Sequence, residues 1–214
     1  MERLNEKKKK AECFTKVFEV KRLVTMAMLG GVAVVLMQFS TPLWFAPPFY
    51  ELDLSEIPVL IGSFAMGPIA GIIIEFIKIM LDLVVSGTKT MFVGEFANFL
   101  MGCSLVVTSS LVYNYKKTKE AAAMGLAAGT ICLVVVASVL NAYVLLPTYA
   151  IAFKLDLETL IAMGTEVNPI IKNLKTFIMF AVAPFNLVKG LLTSLITFLL
   201  YKKISSIIKS FNYK

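Results

Sequence analysis

From Phe177 to Leu200 the chain runs apolar almost without interruption, and the only charge in the run is Lys189. About 20 apolar residues cross the hydrocarbon core of a bilayer as a helix. A soluble fold has no use for such a run at one end of the chain. A lysine facing lipid costs roughly 2.5–3.5 kcal/mol, so Lys189 must snorkel, find a partner or face a polar cavity. Asn186 stands three residues before it, on the same helical face. The stretch Pro184-Phe185-Asn186-Leu187-Val188-Lys189-Gly190 is therefore the first candidate site.

The rest of the chain agrees with a membrane protein. Hydrophobic residues make up 58% and charged ones 16%, against roughly 45–50% and 25% in soluble domains. The net charge of +7 is gathered in three places. These are the N-terminus (Lys7 to Lys10, Lys16, Lys21, Arg22), a central loop (Lys116, Lys117, Lys119) and the C-terminus (Lys202, Lys203, Lys209, Lys214). Each cluster flanks an apolar span, which puts all three on the cytoplasmic side. No aromatic-basic interleaving points to nucleic acid. Residues 1–22 read as a basic cytoplasmic segment, a solvated tail or an amphipathic surface helix through Phe14, Val17 and Phe18. The membrane domain spans 23–201, and 202–214 form a basic tail.

The expectation is an all-α bundle of six transmembrane helices with both termini cytoplasmic. The helices run from about Leu23 to Phe39, Glu56 to Met66, Ile69 to Val84, Gly94 to Tyr115 and Ala121 to Leu146. The last begins between Phe177 and Pro184 and ends at Tyr201, with Pro184 in a first turn or at a kink. Gly67-Pro68 breaks the second helix from the third. Asp53 or Ser55 caps the second. A short amphipathic helix is expected over Leu157 to Met163. The first outside loop, 40–56, carries no Lys or Arg, and its Trp44, Phe45 and Tyr50 form an interfacial belt or a lid. Ala27-x-x-x-Gly31 is a small-residue face on which another helix can pack closely.

The chain has no histidine, which excludes Ser-His hydrolases and H-E-x-x-H metalloproteases. It has no G-x-x-x-x-G-K-[ST] loop for ATP. Cys13, Cys103 and Cys132 are scattered, with neither metal nor disulfide spacing. No catalytic residue, cofactor or metal is expected. Polar residues do gather toward the outer side: Glu95, Asn98, Asn141, Asn186 and Lys189. Lys78 and Asp82 either join them or form, with Glu75, a self-neutralising seam along one helix face. Carboxamides and an ammonium suit a neutral ligand with planar imide and carbonyl edges plus hydroxyls. Nothing is arranged as nucleophile and base, so the pattern reads as binding.

Several stretches together resemble a known family. They are Asp53-Leu54-Ser55-Glu56-Ile57-Pro58, Gly67-Pro68, Gly94-Glu95-Phe96-Ala97-Asn98, Asn141 to Pro147, and Pro184-Phe185-Asn186 with Lys189-Gly190. They are similar to the riboflavin-specific substrate-binding (S) components of energy-coupling-factor transporters, over about Leu23 to Tyr201. The resemblance implies a six-helix S-component fold in a prokaryotic plasma membrane, taking riboflavin from outside. It implies as partners a transmembrane coupling protein and two ABC-type ATPases. It assigns Asn141, Asn186 and Lys189 to the flavin ring, Glu95 and Asn98 to the ribityl side, and Ala27 and Gly31 to the coupling protein. Two other readings stay open: an S component for another vitamin, and a stand-alone ion-coupled transporter with Glu75, Lys78 and Asp82 as relay.

Overall fold

The computed structural model describes residues 19–47, 49–88, 92–153 and 156–212. The expected surface helix around Phe14 to Phe18, and Cys13, lie outside them. Among the described residues nine α-helices follow in order: α1 (Val20–Met37), α2 (Glu56–Met66), α3 (Pro68–Ser86), α4 (Val93–Lys116), α5 (Lys119–Leu140), α6 (Leu146–Phe153), α7 (Leu157–Val167), α8 (Leu174–Phe177) and α9 (Ala183–Asn212). Two π-helical turns, Asn141–Leu145 and Ile178–Val182, join α5 to α6 and α8 to α9 as continuous rods.

Among the described residues four segments are long and apolar enough to cross a membrane: Val20–Met37, Val93–Lys116, Lys119–Ile151 and Leu174–Leu200. Helix α3 has 19 residues but carries Glu75, Lys78 and Asp82, and α2 is a short apolar helix. Every residue of α2 except Ile61 is buried. It is the pillar of the bundle, contacting α1, α3, α4 and α9. Its Val59, Leu60 and Phe64 form the main core with Met26 and Ala33 of α1, Ile74 of α3 and Leu105 and Val106 of α4. Gly67 ends α2 with φ +99°, a conformation that glycine adopts without strain, and Pro68 opens α3. Helices α4 and α5 approach closely through Gly125 and Gly129: a Cβ at Gly129 would lie 2.6 Å from the Leu105 carbonyl oxygen. This is the small-residue packing of membrane helices.

Three expectations need correction. Ser55 precedes α2 but makes no side-chain cap. Its backbone N–H and its hydroxyl both donate to Asp53 Oδ1 instead. The last rod starts earlier than expected, at Leu174. Asn173 and Thr176 make a reciprocal capping box there, with Thr176 N–H 2.9 Å from Asn173 Oδ1. Pro184 is thus neither a first-turn residue nor a break, because the π-turn just before it lets the helix run on. Asn186 lies about 18 Å along the rod from Leu174, near the middle of the apolar span.

The 40–55 segment folds back on itself. Thr41–Pro42 pairs antiparallel with Glu51–Leu52, and the Ser40 hydroxyl donates to Glu51. A second apolar cluster sits beside it, built from Leu146, Leu160, Ile171, Phe177, Ala181 and Val182 with Phe49, Tyr50 and Tyr149 packed on it.

Candidate ligand-binding site

The hairpin, the ends of α1 and α3, the start of α4, the two π-turns' helices and α9 enclose a cavity of about 400 Å³. Small-molecule sites run from about 300 to 1,000 Å³. Asn141, Asn186, Lys189, Glu95, Asn98, Asp82 and Tyr50 all line it, with Phe49, Tyr149 and Phe185. Five distant parts of the chain thus contribute to one chamber.

The polar wall is built on α5 and α9. Asn141 opens the first π-turn and is buried; its Nδ2 donates to the Ala137 carbonyl at 2.8 Å. Asn186 repeats the arrangement, donating to the Val182 carbonyl at 2.9 Å. Each carboxamide is thus held by the turn before it, with one N–H and oxygen lone pairs left for another partner. Tyr50 uses one of these, its hydroxyl donating to Asn141 Oδ1 at 2.5 Å. Burial, helped by nearby Tyr149, pushes the Tyr50 phenol well above its ordinary pKa, so it remains a neutral donor.

Lys189 solves the problem that its sequence context posed. Its Nζ lies 2.8 Å from Asp53 Oδ2. Burial alone would raise the Asp53 carboxyl, but the Lys189 and Lys78 ammoniums outweigh it. Asp53 is held well below the usual carboxylate range. The sequence suggested a helix cap for Asp53; its role as counter-ion to a residue 136 positions away leaves no local signal. The ammonium has three donors, so Lys189 can keep Asp53 and still serve a ligand.

The expected seam along α3 divides. Lys78 is fully buried and pairs with Glu56 of α2 and Glu75, both at 2.7 Å. Asp82 does not join it. It accepts instead from Gln38 Nε2 at 3.0 Å and Ser86 Oγ at 2.9 Å, at the cavity rim. Lys78 is outside the cavity lining. A small chamber of about 20 Å³ adjoins the polar wall, lined by Glu56, Asn98, Asn186 and Lys189 among others. That is room for about one water. Glu56 was not among the expected site residues.

The aromatic loop also divides. Tyr50 and Phe49 line the cavity, and their rings lie 4.7 Å apart. Tyr50 packs on Phe185 at 5.3 Å. Phe45 is outside the lining, and so is Trp44, 89% exposed. Ala27 is exposed, and a Cβ on Gly31 would meet nothing within 4 Å. The α1 face that packs inward is that of Met26, Gly30 and Ala33 instead.

A helical membrane protein with a polar and aromatic cavity of this size can hold a small molecule. Residues 21–201 match the family model for the ECF transporter, substrate-specific component, and the chain belongs to that family. Among its relatives, the Riboflavin transporter RibU of Staphylococcus aureus (strain TCH60) is 37% identical over 189 residues, 88% of this chain and 93% of that protein. The Riboflavin transporter FmnP of Bacillus subtilis (strain 168) is 28% identical, covering 87% and 93%. A solved structure described as the S component of a bacterial ECF transporter superposes with a TM-score of 0.69 at 34% identity. The match covers 88% of this chain and 98% of that one.

Proposed function

We propose that this chain is the riboflavin-binding subunit of an ECF-type importer, taking the vitamin from outside and delivering it inward with a partner module. The observation that carries the reading is the convergence of Asn141, Asn186 and Lys189 on one cavity beside the rings of Tyr50 and Tyr149. A flavin ring offers alternating carbonyl and N–H groups along one edge and an apolar face. Two carboxamides and an ammonium match the edge, and the aromatic residues match the face. Glu95 and Asn98 at the start of α4 line the same cavity, and on this reading they take the hydroxyls of the ribityl chain.

On this reading the protein has no chemistry of its own. It lies in the plasma membrane of a prokaryote as a six-helix bundle, with both termini inside. Helix α2, about 16 Å long at 1.5 Å per residue, reaches only part of the way across. A transmembrane coupling protein and two ABC-type ATPases supply the energy, with Ala27 and Gly31 of α1 at the docking face.

Riboflavin titrated into purified protein, followed by quenching of flavin fluorescence, tests the reading. The expected result is saturable one-to-one binding that thiamine and biotin do not compete away. Binding of another vitamin in place of riboflavin would refute the substrate. Uptake by vesicles holding this chain alone, collapsed by an uncoupler, would refute the partner-dependent mechanism in favour of an ion-coupled carrier.

A further inference from the structure

Two helices of the bundle carry the same irregularity in the same register. At Asn141–Leu145 and at Ile178–Val182 the helix widens to a π-turn. Each closes five residues on, with Leu146 N–H donating to the Asn141 carbonyl and Ala183 N–H to the Ile178 carbonyl. In each case a proline follows the turn by two residues, Pro147 in one and Pro184 in the other. The two turns pack against each other.

The coincidence has a steric cause. Inside an α-helix a proline lacks the N–H for its bond, and its ring collides with the carbonyl four residues earlier. Those carbonyls belong to Tyr143 and Phe180, each the third residue of its π-turn. A π-turn places one extra residue in that loop of helix, so the carbonyl leaves the α ladder and the rod continues past the ring. The extra residue also offsets everything beyond it by about 100° of rotation, one residue of a 3.6-residue turn.

We propose that Pro147 and Pro184 are positioning residues for the ligand site. Each holds its π-turn open and thereby sets the rotation between the polar and aromatic walls. Asn141 opens the first turn, and Tyr149 lies beyond Pro147. Phe177 precedes the second turn, and Asn186 and Lys189 lie beyond Pro184. The polar side is anchored independently, with Lys189 on Asp53. The aromatic side is backed by Phe177, which is outside the cavity lining and stacks on the lining residue Phe49 at 6.5 Å. On this rod the second π-turn lies between the two anchors, and one residue in it decides whether both walls face one cavity; the first turn does the same between Asn141 and Tyr149.

The test uses the full chain with Pro147→Ala, Pro184→Ala, and Pro184→Ala with Met179 deleted. Riboflavin binding and thermal melting are the readouts, the first resting on the function proposed above. Each proline replacement is expected to weaken binding about tenfold, the loss of one or two hydrogen bonds. The melting temperature should hold or rise, because the helix regains a backbone bond. Met179 is 66% exposed, and deleting it removes the extra residue, so the shortened variant should recover most of the lost affinity. Wild-type affinity in the proline variants, a fall in melting temperature, or no recovery on deletion each overturns the proposal. If the wild type does not bind riboflavin, that reading alone fails. The crystal structure of ligand-free Pro184→Ala then decides: Phe177 turned away from Tyr50 supports the proposal, and a retained π-turn overturns it.

Discussion

Lys189 is held by Asp53, and this changes what its removal does. Lys189→Ala takes a donor from the ligand and also leaves Asp53 buried without its counter-ion. Breaking a buried pair from one side costs on the order of 3 kcal/mol. Losing a charged donor to the ligand costs about 1.5–3 kcal/mol in affinity. We expect both, read as a lower melting temperature and weaker riboflavin binding. Asp53→Asn separates the two effects, since it unpairs Lys189 without removing it. The sign of the pH dependence follows from the depressed Asp53 carboxyl. Its stabilisation is complete above its unfolded pKa of about 4 and is lost as pH falls toward the lower folded value. The melting-temperature gap between wild type and Asp53→Asn should therefore be constant from pH 5 to 8 and shrink only in more acidic buffer. A gap that closes between pH 5 and 8 would show that the pair is not intact. Asn141, Asn186 and Lys189 were legible in the sequence because each interrupts an apolar run. Asp53 and Glu56 were not, since both stand in a short polar stretch that looks like any helix start.

Among the helices, α3 is the one whose sequence raised the most questions, and α4 answers them. Two carboxylates and one ammonium meet between α2 and α3, and the room for them comes from Gly102 of α4. A Cβ there would lie 2.2 Å from Glu75 Oε1 and 3.0 Å from Glu56 Oε1. Gly102→Ala should thus lower stability by about 1–3 kcal/mol, the range for overpacking a filled core. Chemical unfolding in detergent measures it, and an unchanged midpoint would show that the carboxylates move aside freely. Lys78→Met should cost more, about 3–5 kcal/mol, because it strands both carboxylates. Helices α1 to α4 and α7 were legible, from apolar runs and from Gly67-Pro68, whereas the rod through α5 runs on to Phe153, past the expected end at Leu146, and α9 runs to Asn212, past the expected end at Tyr201. The π-turns were not legible. A five-residue widening leaves no periodic trace, and only the two prolines pointed to it, one of them read as a kink or a first turn. The missed helix start at Leu174 has a similar origin. Its capping box uses Asn173 and Thr176, a pair outside the usual Ser/Thr…Glu/Gln signature.

At the scale of the whole molecule, the outer face of α1 stands apart from the fold. A Cβ on Gly31 would meet none of the described residues within 4 Å, while one on Gly30 beside it would lie 2.6 Å from Ile77. Gly31→Leu should leave riboflavin binding and melting temperature unchanged while reducing uptake in cells that carry the proposed partner module. Intact uptake would remove this face from the docking surface. Gly30→Leu is the contrasting control and should lower stability.

The chain's single tryptophan sits in the turn of the hairpin between Thr41–Pro42 and Glu51–Leu52, 5.6 Å from Phe45 in an edge-on contact and away from the cavity lining. Indole emission overlaps flavin absorption, so the protein carries its own optical probe, one indole at one site on the segment whose Phe49 and Tyr50 line the cavity. Exciting Trp44 while riboflavin is added should dim the emission in proportion to occupancy, through energy transfer and without any label. Stopped-flow records of that signal would time the arrival of the vitamin at the hairpin. Trp44→Phe should silence the optical record and leave the affinity where it was.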